Sequence, residues 1–233
     1  MSRKSFVLAI AIIISLVGFL GATGYVLVRH EPSFYKRCNL PSSNPRKHLA
    51  DELEKEISNQ LVNGIINETS WEVHCTETEI NAFLAEGLLK NYAADSPWPD
   101  ELSDPRLGLE NGLIHFGFRY GVGRFSTVVS LELRPWLAVQ DPNVLVLEFV
   151  SLHAGAIPIS SQWLMERIAQ AGRPLKIDVS YFRYNNHPTL VLRFQSDHSA
   201  PTFQLGEVKV TGQVDDNPGF VHISGRPSEK PKG

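Results

Sequence analysis

Eight histidines and two cysteines are the side chains of this 233-residue chain most suited to metal or thiol chemistry, and their spacing organises neither. His74, His115, His153, His187, His198 and His222 show no H-x-H, H-x-x-x-H or H-E-x-x-H pattern, the spacings that bring two imidazoles to one ion. They read as scattered strand and turn residues, and no metal site is expected. Asp215-Asp216-Asn217-Pro218-Gly219 sets oxygen ligands in a row, yet it stands between two strands and has the composition of a turn. There is no G-x-S-x-G elbow. Gly121-Val122-Gly123 is too short for a phosphate loop and lies between strands rather than before a helix. Carboxylate pairs can meet through the fold alone, so spacing is silent on them. No catalytic residue and no cofactor is expected, and the chain reads as a non-enzymatic protein.

What the chain does offer is apolar chemistry. Phe83, Phe116, Phe118, Tyr120, Phe149 and Trp163, with Phe125 and Phe182, have the size and spacing to line a groove for acyl chains. The alternative for each is ordinary core. Arg119, Arg124 and Arg134 stand near strand ends, where a lipid head group or water would meet them. Cys38 and Cys75 allow two readings: a disulfide worth about 3 to 4 kcal/mol in the loop-entropy model, or two free thiols with Cys75 buried as a small apolar side chain.

These residues follow a strong leading signal. Ser5 to Val28 is a run of 24 residues without a charge, and at about 1.5 Å of rise per residue a helix of that length covers the roughly 30 Å hydrocarbon core of a bilayer. Arg3 and Lys4 precede it, and basic residues beside a first segment tend to stay cytoplasmic, so the rest is expected outside the cell membrane as an extracytoplasmic, single-pass domain. Arg29, Lys36 and Arg37 on the far side weaken that bias. A cleavable signal peptide is the rival, with Ala22-Thr23-Gly24 as its cutting site; the run continues through Val28, which favours a retained signal-anchor. Of 22 basic residues, 20 remain beyond Arg3 and Lys4, against 25 acidic ones, a net charge of -5. Phosphate backbones repel such a domain, so nucleic acid is excluded as a partner.

Positions 29–45, with three prolines, are expected to form a stalk, 46–225 a single α+β domain and 226–233 a disordered tail. Leu49, Leu53, Ile57 and Leu61 mark a helix from Arg46, interrupted near Gly64. Trp71, Val73 and Cys75 alternate as a strand, and Thr76-Glu77-Thr78-Glu79 is a capping box opening a helix that buries Ile80, Phe83, Leu84 and Leu88. Pro97, Pro99 and Pro105 surround Trp98 in a loop. From Leu107 the period is two, with turns at Asn111-Gly112, Asp141-Pro142-Asn143 and Asn185-Asn186-His187-Pro188. Ser160 or Ser161 caps a third helix ending at Gly172. Short connections imply a curved antiparallel sheet of about six or seven strands, packed by two or three helices. In Val144 to Leu152, Leu145, Leu147 and Phe149 oppose Val146, Val150 and Leu152, so both faces need cover.

At T-E-T-E-I-N-A-F-L, from Thr76, and L-H-A-G-A-I-P-I-S, from Leu152, the chain resembles the YpmS-like group of membrane-anchored extracytoplasmic proteins, over positions 1–195. That group is similar in turn to tubular lipid-binding folds, in which a helix lies in a curved sheet and an apolar groove holds acyl chains. The resemblance implies a membrane-anchored module for lipid or another apolar ligand, and it brings no catalytic residue. The second expectation is an envelope scaffold that docks another protein through a sheet edge or the Pro97-Trp98-Pro99 loop.

Overall fold

The computed structural model describes residues 3–67, 69–88, 102–123, 126–139, 141, 143–160, 162, 164–165, 178–194, 203–213 and 217–228. Among them the chain forms α1 (Arg3–Val28), α2 (Ser33–Arg37), α3 (Asn44–Ile66), β1 (Trp71–Thr76), α4 (Glu77–Phe83), β2 (Leu102–Glu110), β3 (Leu113–Tyr120), β4 (Thr127–Leu137), β5 (Val144–Ala154), β6 (Ile157–Pro158), β7 (Asp178–Tyr184), β8 (His187–Arg193), β9 (Phe203–Thr211) and β10 (Phe220–Pro227). A π-helical turn, Leu84–Leu88, continues α4.

The class is α+β, and every strand pair is antiparallel. The strands divide between two sheets rather than filling one. Six run in the order β2-β3-β4-β5-β8-β7, with β6 on β5 as the seventh, while β1-β10-β9 form a separate sheet of three. Strand periodicity fixes which face of β1 is apolar but not that its partner lies at the far end of the chain. Two hairpins are set by local chemistry. Asn111 and Gly112 have φ of 51 and 77, and Asn185 and Asn186 of 48 and 66, the left-handed pairs of type I′ turns that match strand twist. His187 and Pro188 therefore belong to β8 instead of the turn. Pro105 sits inside β2, where Asp104 at φ 49 bulges the strand; β2 is an edge, so a missing N–H is tolerated there.

A second bulge divides the two faces of the large sheet. Glu132 pairs with Ser151 and Leu133 with Phe149, leaving Val150 as the extra residue. Past it the parity reverses. Leu152 joins Phe149 on one face instead of opposing it, in a cluster with Phe118, Val129, Leu131, Met165 and Leu190. Val144, Val146 and Val191 pack on the other face beside Trp136.

The small sheet is closed by α3 and α4. Leu53 on α3 packs with Trp71, Val73 and Cys75, and Ile57, Ile80 and Phe83 join them. Gly64 does not interrupt α3. A Cβ there would collide with Trp71 at Cβ, Cγ and Cδ1, and one on Gly225 with the same indole at Cε2 and Cζ2, so both glycines leave room for it. The capping box forms as expected: Thr76 Oγ1 accepts from Glu79 N at 3.2 Å, and Glu79 Oε2 accepts from Thr76 N at 2.8 Å. At the join between sheets, the Asn143 side chain imitates a strand. It donates to Phe203 O at 2.6 Å and accepts from Leu205 N at 2.8 Å, tying the β4–β5 turn to β9.

Positions 29–45 are not a free stalk. They pack along the polar face of β2 and β3: Phe34 and Tyr35 are buried with Val128, and Tyr35, at 0% exposure, donates to Asp104 O at 2.7 Å. Irregular hydropathy concealed this because the contacts come from one short helix. Gly108 and Gly117 leave room for those two rings, since a Cβ on either would press into them.

The end of α1 is held by the same sheet. Gly155, at φ 63, lies so close that a Cβ would sit on the carbonyl oxygens of Leu27 and Val28. Ala156 N donates to Leu27 O at 2.8 Å and Thr127 Oγ1 to Val28 O at 2.5 Å, so carbonyls left unpaired at a helix end find partners in the domain. Further back α1 has no cover: Ile13, Ile14, Val17, Phe19 and Leu20 are all exposed. Among the described residues, no helix is long and apolar enough to cross a membrane.

Candidate functional site

The aromatic residues singled out by sequence separate into three places. Phe116 and Phe118 lie with centroids 6.0 Å apart on β3, and Phe149 of β5 belongs to the same apolar cluster. Phe118 and Phe149 are 3% and 2% exposed, packed by Leu131, Leu152 and Leu190. They are core side chains in this structure. Tyr120 has their strand parity but is exposed at the end of β3. Phe83 is elsewhere, with Ile80 against the small sheet. Trp163 and Phe125 lie outside the described residues, as do Arg124, the Pro97-Trp98-Pro99 loop, Asp215 and Asp216, and most of the third helix, of which Leu164 and Met165 contribute to the cluster.

Away from the Val144, Val146 and Val191 patch, the opposite face of these strands carries polar residues, and it borders an open cavity of about 360 Å³. His115 pairs across the ladder with Glu132, and Ser130 with both Gly117 and His153. The segment that follows α1 roofs these residues, adding His30, Pro32, Ser33 and Phe34, while Gly155 and Ala156 form the wall beside the end of α1. His115 Nδ1 is 3.6 Å from Glu132 Oε1, and its ring is tilted against Phe34 at 5.4 Å. The histidines are therefore less scattered than their spacing implies. Each strand displayed the signal: His115, Ser130 and Glu132 alternate with Phe116, Val129 and Leu131. What could not be read was that neighbouring strands align these positions and that His30 folds back over them.

Ion pairs lock the roof in place. Arg119 donates to Glu31 Oε1 at 2.7 Å and Arg37 to Glu110 Oε1 at 2.5 Å. The Arg119 hydrogen bond holds the Glu31 carboxyl below the usual range. Arg119 is thus a structural tie and not a strand-end arginine in water. Arg134, also expected near solvent, pairs at 3.0 Å with Glu148, a buried carboxylate that His187 contacts from its other side.

Cys38 and Cys75 are unbridged and buried in different places. Cys75 packs with Leu53 and Trp71, while the Cys38 thiol faces Glu77 Oε1 at 3.4 Å. Burial pushes the Cys38 thiol up to about 12, with the Glu77 charge adding to it, and the Cys75 thiol to about 11. Neither is placed for nucleophilic chemistry. Among the described residues no group of three or more His, Cys, Asp or Glu side chains is arranged to hold a metal ion. A smaller cavity of about 130 Å³, between Cys38, Arg46, Asn81 and Arg106, is ringed by groups already paired: Arg46 with Glu86, Asn81 with the Leu107 backbone, Arg106 with Tyr35 O.

No family model, no curated protein and no solved structure matches the chain.

Proposed function

We propose that the chain is a single-pass, signal-anchored membrane protein whose extracytoplasmic α+β domain is a non-enzymatic module for lipid or another apolar ligand. Among the described residues no helix qualifies as a membrane crossing. The reading rests on the whole charge-free run of Ser5 to Val28 within a 26-residue helix. The observation that carries it is the exposure of that helix. From Ile12 to Val28 its large apolar side chains face outward, while its last carbonyls are capped by the domain, and an environment of lipid supplies the missing cover. Arg29 donates to the Tyr25 hydroxyl at 2.6 Å, an aromatic and basic pair of the kind found where helices leave the hydrocarbon. Phe118 and Phe149 are filled core in this structure, so the lipid part of the reading rests on the exposed helix and on the resemblance to curved lipid-binding sheets, not on an open groove between β3, β4, β5 and β8.

The full chain is the sample to test, because cutting at position 40 removes the packed roof. Purified in detergent, it should carry lipid by mass spectrometry and release a bound fluorescent fatty acid when lipid is added. Repeated isolation without lipid, together with protection of the domain from protease added to intact cells, would sink the proposal.

One observation favours the scaffold reading. Edge strand β7 exposes Tyr181, Phe182 and Tyr184 on both its faces, and exposed aromatic edges are where other chains add strands. A photo-crosslinking residue at Tyr181 should then capture one defined envelope protein, and labelling of many proteins at equal yield would argue against it.

A further inference from the structure

The polar cavity beneath α2 has no role in holding acyl chains, and its lining defines a different ligand chemistry. Among the described residues that line it none is Lys or Arg, and two are carboxylates, Glu110 and Glu132. Glu110 is already engaged by Arg37 at 2.5 Å. Glu132 has a weaker claim on it, with His115 Nδ1 at 3.6 Å, beyond a normal hydrogen bond. With Glu110 neutralised by Arg37, an anion entering here would meet the Glu132 carboxylate, whereas a cationic group would find a counter-ion in Glu132 and polar neighbours in Ser130 and His153. Phe34 supplies an aromatic wall, which also favours a cation.

Position narrows the source of that cation. Gly155 and Ala156 form one wall of the cavity and also grip the last carbonyls of α1. His30, two residues beyond α1, forms part of the roof. Thr127, which caps Val28, pairs with Tyr120, so the exposed β3–β4 tip with Tyr120 and Val122 stands at the same end of the sheet. A cavity with one wall built onto the end of an anchor adjoins the layer of lipid head groups, which occupies roughly the outer 5 to 7 Å of a bilayer on each side. Its volume of about 360 Å³ is in the range of small-ligand sites.

We propose that this cavity binds the ammonium group of an aminolipid head group, with Glu132 as its counter-ion. The assignment rests on the membrane-anchored reading for the source of the ligand, though not for its charge. Glu132→Gln preserves shape and removes the charge, and Glu132→Asp keeps the charge on a shorter stem.

Native mass spectrometry of the full chain, exchanged into micelles containing equal phosphatidylethanolamine and phosphatidylglycerol, reads the preference directly. Loss of a charge-assisted contact predicts about a tenfold fall in the ethanolamine-lipid preference for Glu132→Gln, with the preference kept in Glu132→Asp. Free ethanolamine, titrated while following the imidazole signals of His115 and His153 by NMR, is the second arm. Shifts in the wild type that vanish in Glu132→Gln, without any lipid adduct, would uphold the ammonium site and dismiss lipid as its source. Equal retention of both lipids together with unmoved imidazole signals would overturn the inference, whereas general lipid adducts in that case would leave the broader lipid-binding reading standing. A thermal melt of both variants close to the wild type confirms that charge, not folding, was changed.

Discussion

The two faces of the large sheet are made by the same strands, residue by alternate residue, and they end in opposite states. On one, Phe116, Phe118, Phe149, Leu152 and Leu190 close over one another and onto Leu164 and Met165. On the other, His115, Ser130, Glu132 and His153 remain around a cavity beneath a roof drawn from the chain before the domain. The difference is in what each face can accept as cover. Apolar side chains interdigitate without directional demands, so that face packs densely. Polar groups must keep partners, so the short α2 can rest two rings on Gly108 and Gly117 yet leaves the His115–Glu132 region open.

The largest test of this contrast is Phe118→Ala. As core it should lower unfolding free energy by about 3 to 5 kcal/mol, read from urea denaturation of the detergent-solubilised chain. If the aromatic face were instead an open groove, stability would barely change and lipid retention would fall alone. Next is the seam where the polar face meets α1. Gly155→Ala adds a Cβ against the Leu27 and Val28 carbonyls at a φ of 63, a strain of order 1 to 3 kcal/mol. Trypsin should then cut at Arg29 faster than in the wild type. Gly123→Ala, at φ 57 with open space around it, is the control and should leave that cleavage unchanged.

The smallest effect is on pH dependence, and it belongs to the roof of the polar face. Burial raises the Tyr35 phenol from 10.0 to about 12 and the Cys38 thiol from 9.0 to about 12. Both groups are neutral below their unfolded values, so their stabilisation is complete there and is lost as the pH climbs through the folded values. The urea midpoint should decline from about pH 9 upward, and Tyr35→Phe should flatten part of that decline. A midpoint that stays level in the wild type up to about pH 11 would show that the roof is not closed over these two groups.

Much of the fold was legible because its determinants are local. The Thr76 to Glu79 capping box, the Trp71, Val73 and Cys75 alternation and the Asn111-Gly112 hairpin each depend on residues a few positions apart. Expectations failed where the cause lay far along the chain. Gly64 looked like a helix break because Trp71 and its seat were not visible, and 29–45 looked like a stalk because Gly108 and Gly117, which receive Phe34 and Tyr35, lie more than 70 positions away. Sequence left the Cys38 and Cys75 pairing open for the same reason, and in the structure both thiols are free and buried. Of the candidate site, strand parity already gathered Phe116, Phe118 and Tyr120, but not the polar cavity behind them.

By itself the amino-acid order determined the leading apolar helix, the α+β class, the antiparallel pairing and the two-sided character of each strand, since these follow from charge, period and turn chemistry within a few residues. Tertiary structure decided which strands are neighbours, where the Val150 bulge reverses the pleat, and that His30, His115, Glu132 and His153 surround one space. Those outcomes depend on register between distant segments, and a shift of one residue exchanges the faces while leaving every local pattern unchanged.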